Sequence, residues 1–345
     1  MGNYFTRNCL SPSPYLVMKK FLIPIMVSAI ALLLVLATGA ANQGPRFGLP
    51  LQCPLGQNCF VLLYSDRDPS PNEVDFGCGR MTYDGHTGTD FAIPDERVMA
   101  QGVPAIAAAD GKVLRVRDGV EDRQSTGLGD PNVKGKECGN GVVIDHGQGW
   151  QTQYCHLRQN SVVVKSGDRV KTGTKLGLVG QSGLATFPHV HFEPRFEGKP
   201  VDPFLGVNPP SGCKVSGKSM WQSNLAYVPT GIVNAGFVDR EPKIKEAEKG
   251  SIANAKLSSD SAALIFWVRS YGVLKGDRQS LKIIAPDRSI FASDDRTLEK
   301  PNRILFTYAG KRNRAKLPSG KWRGEYKLTR DGKLLIDTSR ELEVR

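Results

Sequence analysis

The sequence predicts an all-β chain in two parts, a barrel-like sandwich followed by an immunoglobulin-like β-sandwich. Three observations carry that expectation. Glycine and proline are abundant, 37 and 22 of 345 residues, and both punctuate turns. The Val/Ile/Leu/Tyr runs are short, as strands are, and helical periodicity is scarce beyond the N-terminus. With 40% hydrophobic and 23% charged residues, the composition excludes a disordered chain and allows two modest domains.

Residues 1–41 read as an export signal. Met18-Lys19-Lys20 supplies a positive start, and the apolar stretch 21–37 ends in Ala37-Thr38-Gly39-Ala40-Ala41, so cleavage is expected near Ala40 or Ala41. Nothing before Met18 has signal character, which makes Met18 an alternative start. The apolar stretch is long for a signal and just short of a comfortable span, so an uncleaved anchor is the competing reading. The expected location is the periplasm, the cell envelope or the medium, with membrane attachment if the signal is retained.

Export bears on the seven cysteines, because an oxidising compartment favours bridges. Cys9 would leave with the signal. Cys53 and Cys59 flank a Pro-Leu-Gly turn and can close a small loop. Cys138 and Cys155 lie near the open ends of a predicted hairpin, and elimination then pairs Cys78 with Cys213, one of the fifteen connectivities open to six cysteines.

The middle part, residues 42–212, holds all five histidines. Val142-Val143-Ile144-Asp145-His146 and Trp150-Gln151-Thr152-Gln153-Tyr154-Cys155-His156 read as strands joined by the turn Gly147-Gln148-Gly149. Further short strands are expected at 161–165, 175–179 and 189–195. The stretch 164–180 alternates Gly-containing turns with brief apolar segments, which suits a barrel-like sandwich. Lipoyl and biotinyl carrier domains are phrased similarly, and 105–113 echoes the pattern. No lysine here has the tight-hairpin setting a carrier needs.

Beyond the Pro209-Pro210-Ser211-Gly212 break, residues 213–345 show period-2 runs at 263–268, 281–285, 304–308, 322–328 and 334–336. Turn signals such as Arg330-Asp331-Gly332-Lys333 separate them, as in an immunoglobulin-like sandwich. From Lys214 onward there are 26 basic and 15 acidic residues, so 11 of the chain's 12 net positive charges lie here. Such a part can adhere to anionic wall polymers or a membrane surface, or be a soluble accessory module. Nucleic acid is not an expected partner.

Three short motifs carry the chemistry. In His86-Thr87-Gly88-Thr89-Asp90 the glycine and threonines favour a strand or tight loop, where positions i and i+4 share a face. In Pro188-His189-Val190-His191-Phe192-Glu193 two histidines project from one side of a strand while Val190 and Phe192 face the other. The third, Tyr154-Cys155-His156-Leu157, is expected to place His156 on the side of Tyr154. Each alone has a plain structural explanation, such as a loop histidine or a polar strand face. Together they hold four of five histidines and a carboxylate within one part of the chain.

Zinc takes nitrogen and oxygen ligands tetrahedrally, and a catalytic site keeps three protein ligands and an open position. Two imidazoles and one carboxylate leave the centre positive, which lowers the pKa of a bound water to about 7 and polarises a carbonyl. Additional histidines can move protons or stabilise an oxyanion. Residue types leave open which histidines join Asp90 as ligands.

His86-x-x-x-Asp90, then His156 in Tyr-x-His-Leu, then His189-x-His191 resembles the lysostaphin-type family of peptidoglycan metalloendopeptidases, which includes the LytM-like enzymes. Gly88-Thr89-Asp90-Phe91, Asn140-Gly141-Val142-Val143-Ile144-Asp145-His146-Gly147 and the stretch from Gly180-Gln181-Ser182-Gly183 to Glu193 are also similar. The likeness covers residues 75–204. It implies a duplicated hybrid motif of the barrel-sandwich kind, one zinc ion on His86, Asp90 and His191, catalytic roles for His156 and His189, and peptidoglycan peptides as substrate. Zinc-bound water would be the nucleophile. The chain departs in its extra cysteines, in Phe187 where glycine is common, and in an insertion at 122–136, which bear on the groove.

No family position is missing, which disfavours the alternative of a non-catalytic wall-binding module that activates another hydrolase. His146, at the hairpin turn, reads as structural. Glu193 shares a strand face with His191 and can hydrogen-bond a ligand histidine, although a solvent-facing carboxylate is the expected reading. A Cys155–His156 nucleophile pair is not expected, because adjacent strand residues face opposite ways.

Overall fold

The structure is a computed structural model that describes residues 44–345, and the segment read as an export signal, with Cys9, lies outside the described residues. Among the described residues, no helix is long and apolar enough to cross a membrane.

The apolar runs of the middle part assemble into one antiparallel sheet. β1 (Phe60–Leu63) and β2 (Thr89–Ala92) are buried at every residue. With β4 (Gly111–Arg117), β5 (Asn140–Gly147), β6 (Trp150–Leu157), β7 (Arg169–Val170) and β9 (His189–Phe196), they run in the order β1-β2-β9-β6-β5-β4-β7. The short β10 (Lys199–Pro200) pairs with β9, and β3 (Pro104–Ile106) with β8 (Lys175–Leu178) forms a separate ribbon. The sheet is open, its ends β1 and β7 unjoined. At the β5–β6 hairpin, φ is 81° at Gly147, 51° at Gln148 and 81° at Gly149, a left-handed run that glycine tolerates. The strand expected at 161–165 does not form. That segment joins no ladder, and Val163, with one hydrogen bond to Leu176 O (2.9 Å), is 61% exposed. Its alternation arises from Val162 and Val164 packing on the core edge.

Alternation divides β9 into a face bearing His189, His191 and Glu193 and a core face bearing Val190 and Phe192. The Phe192 ring meets Phe47 at 5.4 Å, Tyr154 at 5.4 Å and Trp221 at 5.6 Å between centroids. Phe47, from the start of the middle part, and Trp221, from just beyond its end, are bridged to each other in parallel and cover this face. The tether after Gly212 thus still serves the first core, through Met220, Trp221 and Tyr227. The cysteines pair as Cys53–Cys59, Cys78–Cys213 and Cys138–Cys155, the connectivity expected from their placement.

The C-terminal part is a two-sheet sandwich. β11 (Gly231–Val238), β12 (Ala263–Val273) and β15 (Asn302–Arg312) form one sheet. β14 (Ile290–Thr297), β13 (Arg278–Ile284), β16 (Gly320–Arg330) and β17 (Lys333–Val344) form the other. Leu264, Phe266 and Val268 of β12 meet Leu281, Ile283, Trp322 and Tyr326 between them. At the β16–β17 turn, Asp331 (φ 49°) and Gly332 (φ 78°) are both left-handed, the geometry a tight hairpin needs. The intervening residues of β12, Trp267, Arg269 and Tyr271, point out of the sandwich. Tyr271 joins the first core, stacked on Phe60 at 5.2 Å, and Trp267 packs on α2 (Ile244–Lys249) through Ala247. Arg303 donates to Thr82 O at 2.5 Å, and Asn234 donates to Asp95 Oδ2 at 3.1 Å. Asp95 also caps α1 (Glu96–Gln101), accepting from Val98 N. The sandwich therefore packs against the β1 edge of the large sheet.

Candidate metal centre

Strand register brings Asp90 opposite His191, and Ala92 opposite His189, on the β2–β9 pair. Paired antiparallel residues share a face, so Asp90, His189 and His191 converge. His86 precedes the strand, in a turn whose N–H donates to Tyr83 O at 3.0 Å. Its Nε2 is 3.1 Å from Asp90 Oδ1 and 3.2 Å from His191 Nδ1, and those two are 2.9 Å apart. All three residues are buried, His86 and Asp90 almost completely and His191 slightly less. Three atoms so spaced nearly match one face of a tetrahedron with metal bonds of zinc length, whose edge is about 3.3 Å. The donor set suits a divalent ion of that kind.

Second ring nitrogens set the tautomers. His86 Nδ1 donates to Tyr64 O at 2.7 Å, which leaves the Nε2 lone pair for the centre. His191 is turned the other way, with Nε2 facing Glu193 Oε2 at 3.5 Å and Nδ1 facing inward. Glu193 is 4% exposed and also receives Thr87 Oγ1 and Arg195 Nε. The expected solvent-facing carboxylate is thus corrected. Partners from the His86 loop and from its own strand bury it, and it backs a histidine of the centre.

Gly88 explains how the His191 ring gets so close. A Cβ there would lie 2.6 Å from ring atoms Cε1 and Nε2 and 2.8 Å from Phe192 O. Only a residue without a side chain fits.

His156 overturns another expectation. Tyr154 pairs with Phe192 and so belongs to the core face, with its hydroxyl accepting from Ala108 N at 2.8 Å. Strict alternation would bury His156 there too. Instead His156 adopts φ 64°, an uncommon conformation for a non-glycine residue, and its ring turns to the other face, 4.5 Å from the His189 ring. The hold is local: its N–H donates to Cys138 O (2.9 Å) and its Nδ1 to Ser182 O (2.7 Å). Ser182 is fixed in turn, since Oγ accepts from Asn140 N (2.8 Å) and donates to Leu157 O (2.8 Å). Asn140 Nδ2 reaches Leu157 O (3.0 Å) and Val120 O (2.7 Å). Cys155 is committed to its disulfide, so a Cys–His pair is excluded by bonding, whereas opposite strand faces had been the expected reason.

His189 Nδ1 donates to Phe187 O at 2.8 Å, and its Nε2 is 3.6 Å from Asp90 Oδ1. The Phe187 ring lies 4.4 Å from that imidazole. The insertion at 122–136 buttresses the same region. Asp122 Oδ1 accepts from Gln181 N (2.7 Å), and Ser125 N donates to Ala185 O (2.8 Å). His146 lies outside the cluster, tied between Asp110 O (2.6 Å) and Thr152 Oγ1 (2.8 Å).

The electrostatics favour a cation. Burial would raise the Asp90 carboxyl, but His86, His189 and His191 hold it well below its ordinary value. Burial likewise opposes ionisation of Glu193, yet His191, Thr87 and Arg195 bring it down to about 2. In the metal-free chain His191 is pushed up to about 9, because hydrogen bonds to Asp90 and Glu193 outweigh burial. Burial and neighbouring histidines drive His156 well below its ordinary value, and burial lowers His189. Both are therefore neutral bases near pH 7. Asp90 and Glu193 are thus held ionised on either side of His191, and a divalent ion at the centre would take the place of the proton that His191 carries in the metal-free chain.

Clefts flank the centre. One of about 420 Å³ opens beside His86 between Asp66, Asp84 and Asp202. Another of about 200 Å³ lies beside Phe187 and Pro188, closed by Val233, Arg269 and Ile304 of the sandwich.

Known proteins share this segment. The chain is 38% identical over 117 residues to peptidoglycan DD-endopeptidase ShyB of Vibrio cholerae, covering 34% of this chain and 22% of the relative. It is 34% identical over 137 residues to ShyA of the same organism, covering 40% and 26%. The cell division protein DipM of Caulobacter vibrioides is 35% identical over 111 residues, covering 30% and 15%. The match thus spans about a quarter or less of these relatives' own length. A crystal structure of a zinc containing peptidase from Vibrio cholerae aligns at 32% identity and a TM-score of 0.27, covering 42% of this chain and 39% of that one. Residues 84–203 match Peptidase family M23. All the side chains that converge here, from His86 through His156 to Glu193, lie inside that span, a match to the Peptidase family M23 model over about a third of the chain.

Proposed function

We propose that the chain is an exported zinc-dependent endopeptidase that hydrolyses cross-links or stem peptides of peptidoglycan, acting in the periplasm or cell envelope. The observation that carries this reading is the triangle of His86 Nε2, Asp90 Oδ1 and His191 Nδ1, with edges of 2.9 to 3.2 Å. Two curated relatives are named peptidoglycan DD-endopeptidases, which supports the substrate class.

In this reading His86, Asp90 and His191 hold one zinc ion. When bound, zinc supplies Lewis acidity, which makes water a nucleophile near neutral pH and polarises the scissile carbonyl. The remaining steps belong to the chain. His156 and His189 each spend Nδ1–H on a carbonyl, so each keeps an Nε2 lone pair for the reacting groups. One would take the proton from the attacking water and pass it to the leaving amine, and the other would accept a hydrogen bond at Nε2 that orients that water. Glu193 keeps the His191 ring oriented. Residues 42–212 form the peptidase part. The basic residues 213–345 form an accessory sandwich with affinity for anionic wall polymers.

The test is digestion of isolated sacculi. Zinc-loaded protein should release muropeptides, a chelator should abolish release, and added zinc should restore it. A protein that binds sacculi and zinc but releases nothing would instead be a regulator of another hydrolase.

A further inference from the structure

Arg269 is the only arginine or lysine among the described residues that is buried, at 5% exposure. It has no ion-pair partner within 4 Å among the described residues. Nη1 donates to Pro94 O (3.3 Å) and Ala247 O (3.1 Å), whereas Nε has no partner and Nη2 makes no hydrogen bond. The nearest carboxylates are engaged elsewhere: Glu248 with Lys245 at 3.0 Å, and Asp95 with Val98 N (2.9 Å) and Asn234 (3.1 Å). A guanidinium taken out of water without a paired carboxylate is costly, and burial pushes its pKa down although Glu248 and Asp95 act on it from beyond contact in the opposite direction. Nε is itself shielded from solvent, so the donor left for a ligand is Nη2, which can give one oxygen of a carboxylate a charge-assisted hydrogen bond.

That residue lines the cavity of about 200 Å³ between the sandwich and the large sheet. Its opposite wall includes Phe187 and Pro188, the residues immediately before His189, together with Ala92, which pairs with His189 across the β2–β9 ladder. The apolar lining from Phe60, Leu62 and Ile304 would strengthen any charge pair formed there by excluding water. The space suits one residue of a peptide, not a longer segment.

We propose that this cavity is a subsite for a free carboxylate of the wall peptide, read by Arg269, and that the C-terminal sandwich therefore supplies part of the substrate groove. The proposal rests on the endopeptidase reading above and assigns specificity to a residue outside the segment shared with the family. Glu96 and Glu248 share this lining and repel an acid, so the carboxylate must sit on Arg269 and clear of both.

The probes are a purified cross-linked muropeptide dimer with free carboxyls and the same dimer after amidation. Cleavage by the zinc-loaded chain is measured, and binding to the metal-free chain is measured separately by equilibrium dialysis. Wild type should favour the free acid about tenfold or more in both kcat/KM and binding, the worth of a charge-assisted pair. Arg269→Met should abolish that preference, and Arg269→Lys should keep part of it. Equal handling of both dimers by wild type overturns the proposal, as does an Arg269→Met protein that loses the same factor on both dimers and melts earlier, the behaviour of a structural staple. If neither dimer is cut but the metal-free chain still prefers the acid, the subsite stands and the endopeptidase reading falls. Should Arg269→Met not fold, the wild-type comparison of acid and amide decides alone.

Discussion

Replacing Gly88 by alanine should disable metal binding without touching any group proposed to bind metal. The added Cβ would stand 2.6 Å from Cε1 and Nε2 of His191, where ordinary contact begins at about 3.4 Å, and 2.8 Å from Phe192 O. The backbone oxygen cannot yield without breaking the β2–β9 pairing, so the ring must retreat by about 0.8 Å. Zinc–nitrogen distances tolerate about ±0.2 Å, so a shift four times that size takes Nδ1 out of bonding range. The retreat also disturbs the contact of Nε2 with Glu193. Loss of one of three protein ligands should lower zinc affinity by about 100-fold or more. Competition against a chromogenic zinc chelator at pH 7.5 measures this, with circular dichroism of the metal-free proteins as the check on folding. His156→Ala, measured alongside, should bind zinc as wild type does and lose rate. A folded Gly88→Ala protein with wild-type zinc affinity would refute the assignment of His191 Nδ1 as a ligand atom.

Three further outcomes are expected. Ser182→Ala orphans the buried Asn140 N–H and loosens the carbonyl that holds His156, so turnover should fall about tenfold at full zinc occupancy, with a stability loss of about 1–3 kcal/mol by denaturant titration. Replacing Cys138 and Cys155 by serine opens a bridge of sequence separation 17 beside His156, and should cost about 3 kcal/mol in the same titration together with part of the rate. Asp202 has an orphaned Oδ2, and burial raises its carboxyl to about 6 from the usual 3.8. A raised acid favours the folded state fully below its unfolded pKa and loses that contribution as pH rises through the folded one. The stability of wild type relative to Asp202→Asn should therefore decline from pH 4 to pH 7, by at most about 3 kcal/mol, and a flat difference would place that carboxyl in water.

Local pattern made much of the fold legible. The β5–β6 hairpin and the β16–β17 turn were readable because left-handed residues concentrate in Gly147, Gly149 and Gly332, whose role is set within a few residues. Cysteine placement worked for the same reason at Cys53–Cys59 and Cys138–Cys155, and only elimination reached Cys78–Cys213, separated by 135 residues. Residues 161–165 misled because alternation reports which side chains are buried and cannot report whether a neighbouring strand is there to pair. β14 escaped notice for the converse reason. It has a partner in β13 but is largely exposed, so no apolar pattern marks it.

At the site, the His-x-His-x-Glu spacing on β9 put three side chains on one face, and that much followed from period 2 alone. What period 2 could not contain was an exception to itself. His156 reaches the centre only because φ 64° reverses its face, and the residues that stabilise this, Cys138 and Ser182, are distant in sequence. Glu193 was placed correctly but judged solvent-facing, since Thr87, one of the groups that bury it, lies 106 residues away. Arg269 did leave a signal. Trp267-Val268-Arg269-Ser270-Tyr271 is a charged residue inside a strand buried on both faces, and a reading that stopped the apolar run at Val268 passed over it. A sandwich with nothing to cover needs one apolar face per strand; β12 has two, so its outward face was bound to meet another body. That body is the β1 edge of the large sheet, which makes the arginine on that face part of the wall of the cavity beside Phe187 and Pro188 instead of a surface charge.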